Sequence, residues 1–192
     1  MIVTLPAVLQ PDAITRLMEA NDPHVATIML RDTLLANERF QRAVQPLRFG
    51  TAEVMPVDDR THSLESPVVT VTADGHACRA DVEVTCFLID PEFYEGGELL
   101  IDTGLGEVAH KLASGSCIVY PTVAKRRLNP VTTGESWIAR IAVQSCVRRI
   151  QQRMILYDLT TAADFFELAG MTEPVIALRR CCDRLLGLWA EV

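Results

Sequence analysis

A histidine close to carboxylates is the combination best suited to moving protons near neutral pH, and one stretch of this sequence contains it. In Pro56-Val57-Asp58-Asp59-Arg60-Thr61-His62, the imidazole follows two acidic residues within one short segment. His62 with Asp58 or Asp59 would make a general acid–base pair. The same residue types beside a proline also make an ordinary solvated turn, so both readings stand. A second concentration of charge is Lys125-Arg126-Arg127, which is either surface charge or a source of one inward guanidinium. An inward guanidinium would need an anionic partner, because a buried unpaired charge is costly. The cysteines are Cys78, Cys86, Cys117, Cys146, Cys181 and Cys182, and no two form a C-x-x-C pair. Cys86 and Cys117 lie in apolar, strand-like runs, where a cysteine acts as a small buried hydrophobe. The vicinal pair Cys181-Cys182 has no second ligand pair spaced to match it, so zinc is not expected there.

These residues sit in an ordinary globular composition. Hydrophobic residues make up 49% of the 192 and charged residues 22%, with a formal net charge of −7. That excludes disorder and does not favour a nucleic-acid backbone as partner. No apolar run approaches the roughly 18 residues that span a bilayer. The opening MIVTLPAVLQPDAITRL lacks a basic segment followed by a long apolar one. The expectation is a cytoplasmic, reduced protein with no membrane contact.

The opening alternates into a short strand over Ile2 to Leu5, and a helix follows from Pro11-Asp12, where an acidic residue suits a helix N-terminus. Val25, Ile28, Met29, Leu34, Leu35, Phe40 and Val44 recur at near-helical spacing, which predicts one helix over 24–45. Pro46, Pro56 and Pro67 interrupt the next stretch, leaving a strand-like run from Val68 to Thr72 and a turn at Asp74-Gly75. Then DVEVTCFLID alternates, PEFYEGG turns and ELLIDT extends. EVAHKL and SGSCIVYP add strands, and SWIARIAVQSCV is a long one with Trp137, Ala139, Ile141 and Val143 on one face. Helix formers return from Arg149, and in the last segment Ile176, Leu178, Leu185, Leu186 and Trp189 predict an apolar side. Helices, then many short strands, then helices imply an α+β fold around a β-sandwich or barrel.

Several of these segments, taken in order, resemble the PKHD-type, prolyl-4-hydroxylase-like oxygenases. They are DVEVTCFLIDPEFYEGGELLI (81–101), GSCIVYP (115–121), NPVTTG (129–134) and VQSCVR (143–148) leading into Leu156-Tyr157-Asp158-Leu159. Leu5-Pro6 and Val8-Leu9 fit the family's opening more loosely. The resemblance implies a double-stranded β-helix, or jelly roll, over 46–148, with a strand and helices over 1–45 and helices over 149–192, all in one domain. In that family a His-x-Asp pair and a distal His hold Fe(II), and an Arg binds the oxoacid carboxylate with its guanidinium fork. Anchored on Tyr120-Pro121 and Asn129-Pro130-Val131, the distal His position falls on Arg126, which has no lone pair to give a metal. The oxoacid Arg position falls on Ser136, with Arg140 an even number of residues further along the strand. The His-x-Asp pair belongs in 55–70, and the ungapped placement puts it on Ser66 and Val68. A shifted placement brings in Asp58, Asp59, His62 or Glu65. None of His24, His62, His76 and His110 has a carboxylate two positions later.

The main expectation is therefore a metal-independent, non-oxidative enzyme in a repurposed jelly-roll pocket, with no cofactor and no metal. It would act by acid–base chemistry on a small carboxylated molecule. His62 with Asp58 or Asp59 would move protons and Arg126 would hold the anion, while Tyr120, Ser136 and Arg140 would line the substrate. One alternative is a non-catalytic binding protein or the partner subunit of an active oxygenase. Another is a true hydroxylase with an atypical metal site, using Fe(II) and 2-oxoglutarate. A homodimer or a partner oxygenase are the protein partners that fit these readings.

Overall fold

The computed structural model describes residues 1–58, 69–72 and 74–191. It opens with strand β1 (Val3–Leu5) and helices α1 (Pro11–Glu19), α2 (Pro23–Leu35) and α3 (Glu38–Val44). The helix expected over 24–45 is thus two, and the break has a local cause. Asn37 caps α3, its side-chain oxygen accepting a hydrogen bond from the Phe40 N–H at 3.0 Å, and Asn is among the best residues at that position. Pro11 and Pro23 open α1 and α2, in the first turn where no backbone N–H is required.

The strands follow as β2 (Pro46–Phe49), β3 (Glu53–Pro56), β4 (Val69–Val71), β5 (Ala77–Arg79), β6 (Val82–Phe87) and β7 (Tyr94–Gly96). Then come β8 (Leu99–Asp102), β9 (Glu107–His110), β10 (Cys117–Pro121), β11 (Arg126–Leu128), β12 (Val131–Gly134) and β13 (Trp137–Ser145). Helices α4 (Ile150–Leu168) and α5 (Thr172–Trp189) come last. The large sheet has the order β1-β10-β6-β13-β2, with β3 also paired to β13. The smaller sheets β11-β8-β9 and β12-β7 complete the jelly roll, giving the expected α+β architecture.

Strand alternation divides the large sheet into two faces. Val82, Val84 and Cys86 of β6, with Cys117, Val119, Ala139, Ile141 and Val143, pack against Leu17, Leu30 and Phe40 of the N-terminal helices. On the other face Phe87, Ile118, Tyr120 and Ile138 meet Leu99, Ile101 and Leu128 of the smaller sheet. Every residue of β6 is consequently buried, as in a strand covered on both sides. Cys86 and Cys117 are register partners with sulfurs 2.7 Å apart. Burial, with Cys86 adding to it, raises the Cys117 thiol well above the ordinary value, so the pair fills space as the sequence implies.

The final helix differs from expectation by one residue. Val175 is buried and Ile176 is 51% exposed, because the face of α5 that packs on α4 runs through Val175, Leu178, Cys182 and Leu185 at helical spacing. Ile176 lies one residue around the helix from that face.

Replacing Asn37 with alanine should cost about 1 kcal/mol, seen as a fall of roughly 2–4 °C in Tm by circular dichroism. An unchanged Tm would show that something other than this cap separates α2 from α3.

Candidate functional site

The period of two that places Val84 and Cys86 toward the helices turns Glu83 and Thr85 into the barrel interior. Glu83 is 2% exposed and Thr85 fully buried. Tyr120 on β10 is the register partner of Glu83, so its ring also points inward. On β13, Ala142 is the register partner of Glu83 and Arg140 that of Thr85, which puts Arg140 diagonally across from Glu83. Arg126 begins β11 in the facing sheet, where it pairs with Ile101.

These side chains converge on one carboxylate. Arg126 donates from Nη2 to Glu83 Oε2 at 2.7 Å. Arg140 donates from Nε to Glu83 Oε1 at 2.7 Å, and its Nη2 lies 2.6 Å from the same oxygen in an ion pair. The Tyr120 hydroxyl donates to the same Oε1 at 2.9 Å. Its only proton is thereby used, so Thr85 must donate to Tyr120 across their 2.8 Å contact. Arg126 also donates to the carbonyls of Thr122 and Ala124 at 3.1 and 3.2 Å and lies 5.4 Å from the Tyr120 ring centroid, within cation–π range. The cluster is sealed at one end and reaches solvent at the other. The Arg126 side chain is 3% exposed and that of Arg140 is 11%. Arg140 lies 3.8 Å from Glu53, whose side chain is 61% exposed. Burial, reinforced by the Glu83 charge, raises the Tyr120 phenol above its ordinary value, so it stays a donor.

A separate cleft of about 410 Å³ opens between the end of β3 and the start of β13. Pro56, Val57, Asp58, Val131, Ser136 and Trp137 are among its lining, and Ser136 is 2% exposed. A larger depression of about 840 Å³ lies beside Arg149, Gln152 and Trp189 at the ends of α4 and α5. It contains none of these candidate residues.

The structure thus brings Arg126, Tyr120 and Arg140 together around Glu83, and Asp58 together with Ser136 in the cleft. His62 and Asp59 lie outside the described residues, as do Glu65 and the placement at Ser66 and Val68. Arg126 does point inward, with Glu83 as its anionic partner. Sequence reasoning missed Glu83, because with Thr85 it reads as the polar side of an alternating strand. Arg79 and Asp81 form a structural ion pair, two guanidinium bonds at 3.2 and 3.1 Å, with Asp81 also accepting from the Ser145 N–H at 3.0 Å.

No protein-family model matches the chain. Among curated proteins it is 34% identical, over 180 residues, to a PKHD-type hydroxylase of Thermosynechococcus vestitus, covering 91% of this chain and 79% of that one. It is 38% identical over 160 residues to a PKHD-type hydroxylase of Methylobacterium nodulans, covering 80% and 70%. Among solved structures, a Pseudomonas putida prolyl-4-hydroxylase superposes with a TM-score of 0.52 at 14% identity, covering 75% of this chain and 92% of that one. The viral collagen prolyl hydroxylase of Paramecium Bursaria Chlorella virus-1, in its 2-oxoglutarate complex, does so with a TM-score of 0.52 at 14% identity, covering 75% and 95%. The structural likenesses establish the fold.

The sequence relatives correct the main functional expectation. Proteins matching most of this chain are named hydroxylases, so the reading of a metal-independent acid–base enzyme without cofactors does not hold. Of the residues given the proton-moving role, Asp58 borders the cleft, and His62 and Asp59 lie outside the described residues. The expectation went astray because it treated individual ligand positions as decisive against a match that runs the length of the chain.

Tyr120→Phe should destabilise the protein by about 1–3 kcal/mol at pH 7, by leaving the buried Thr85 hydroxyl without its acceptor and Glu83 with one donor fewer. Its folded-state pKa is raised, so the phenol's contribution is complete below the unfolded value of about 10 and is lost as pH rises through the folded value. Urea unfolding between pH 7 and 10.5 should therefore show a shallower alkaline decline for Tyr120→Phe than for the wild type. Parallel declines would show that Tyr120 is not held as its buried hydrogen bonds require.

Proposed function

The chain belongs to the PKHD-type hydroxylase family, and on that premise we propose that it is an oxygenase, a 2-oxoglutarate-dependent hydroxylase with an atypical metal site. The observation that carries this is the 34% identity extending over 91% of the chain and 79% of the Thermosynechococcus relative. A small-molecule substrate is the class supported by the cleft at Asp58 and Ser136, whose volume of about 410 Å³ lies in the range of small-ligand sites. A cytoplasmic setting is supported by six cysteines that are all free thiols. No helix among the described residues is long and apolar enough to cross a membrane.

The described residues do not by themselves fit an iron ion. Among them, no three His, Cys, Asp or Glu side chains are grouped as a metal would need. The position that the resemblance gives to the distal His holds Arg126, and its guanidinium is closed on Glu83. The other donors that the resemblance could enlist beside Asp58, namely Asp59, His62 and Glu65, lie outside the described residues.

One observation favours a second reading, a non-catalytic binding protein or partner subunit of an active oxygenase. Both interior guanidinium groups are already engaged by a carboxylate of the chain itself, which leaves the barrel centre filled by protein.

An anaerobic titration with Fe(II) and 2-oxoglutarate, followed by visible absorption and then by succinate release on adding oxygen, separates the two. The oxygenase reading predicts an absorption change that needs both additions, and iron-dependent succinate. Neither absorption nor succinate would overturn it and leave the second reading.

A further inference from the structure

Glu83, Arg126 and Arg140 form an arrangement of two guanidinium groups around one carboxylate. Two guanidinium groups from different sheets, joined by the Tyr120 hydroxyl, converge on two carboxylate oxygens. One oxygen accepts from Arg140 and Tyr120, and the other accepts from Arg126. Such a fork matches any carboxylate of the right reach. Here the carboxylate is supplied from within the large sheet, on a side chain that is 2% exposed. We infer that Arg126, Arg140 and Tyr120 form a carboxylate-binding cradle inside the barrel that the chain fills with its own Glu83, and that a small external carboxylate can occupy this cradle when Glu83 does not.

Three features support this. Two of the groups are held independently of Glu83. Arg126 is anchored by the Thr122 and Ala124 carbonyls and Tyr120 by Thr85, while Arg140 projects inward from the middle of β13. Removing Glu83 should therefore leave most of the cradle standing. The cluster also has a solvent-facing end, at Arg140. The carboxylate of Glu53 stands at that end, 3.8 Å from Arg140. It would oppose an incoming anion there, and its side chain is mostly exposed. Finally, truncating one partner of a buried ion pair leaves an uncompensated charge. A carboxylate entering from solution would relieve it.

Glu83 thus acts as a specificity-determining residue. While it occupies the cradle, small carboxylates are excluded from the barrel centre. This inference does not depend on whether the protein turns over 2-oxoglutarate. Succinate release by the wild type bears on the oxygenase reading alone, and carboxylate rescue of a Glu83 variant bears on the cradle alone.

The experiment is thermal unfolding of the full chain, wild type and Glu83→Ala, in acetate or propionate, against chloride at equal ionic strength. In chloride, Glu83→Ala should melt about 10 °C below the wild type. In saturating carboxylate it should regain roughly half of that loss, while the wild type moves no more than in chloride. Glu83→Ser, which also vacates the cradle, is the second variant and should show the same carboxylate-specific rise if Glu83→Ala fails to fold. Glu83→Ala combined with Arg126→Met and Arg140→Met should show no carboxylate-specific rise. The inference is overturned if neither single variant gains more than the wild type, or if the triple variant gains as much as the single ones.

Discussion

Glu83 carries an ionisable group into the middle of an apolar sandwich, and the surrounding structure is arranged to compensate for it. The effective cost of placing a charge in such an interior is several kcal/mol. It is met only when the opposite charge and hydrogen-bond donors are in place together. β10 delivers Tyr120 because it is in register with Glu83. β13 delivers Arg140 from the diagonal position. Arg126 comes from the facing sheet, so the Arg126–Glu83 pair is also a strut between the two layers of the jelly roll. A register slip of one residue in β6 would turn Glu83 toward the helices and expel it from this cluster. The same constraint therefore helps to fix strand alignment.

β13 connects this interior to the surface. Ser136 and Trp137, at its N-terminal end, line the cleft that Asp58 also borders. Arg140, further along, belongs to the buried cluster. A molecule in the cleft and a carboxylate in the interior would thus be read by neighbouring residues of a single strand. Membership of a hydroxylase family and an interior closed by an ion cluster coexist in this chain. The contrast is chemical, since Arg126, closed on Glu83, stands where the resemblance places a donor for a metal.

Much of the scaffold was legible because it follows from period and punctuation. DVEVTCFLID became the central strand, the Asp74-Gly75 turn precedes β5, and the residues from Arg149 onward became paired helices. The division of 24–45 into two helices was missed because apolar spacing ran on through the break, and the decisive signal was the capping Asn37. Ile176 was misplaced because a helix of alternating apolar and charged residues offers two adjacent faces, and only packing against α4 chooses between them. In the site, Arg126, Tyr120 and Arg140 could be singled out one by one, but their common partner could not. Glu83 reads locally as the polar member of an alternating strand, and its burial follows from a second sheet contributed by residues distant in sequence. The function was misjudged for a related reason, since isolated ligand positions were weighed above similarity along the whole chain.

The most direct test of this account is a pair of double-mutant cycles in urea unfolding, using Glu83→Gln with Arg126→Met and Glu83→Gln with Arg140→Met. If Glu83 is held jointly by both guanidinium groups, each cycle should yield a coupling of at least about 1.5 kcal/mol, with the double variants more stable than the sum of single losses predicts. Additivity to within about 0.5 kcal/mol in both cycles would contradict the account, because the three charges would then not form a single interacting centre.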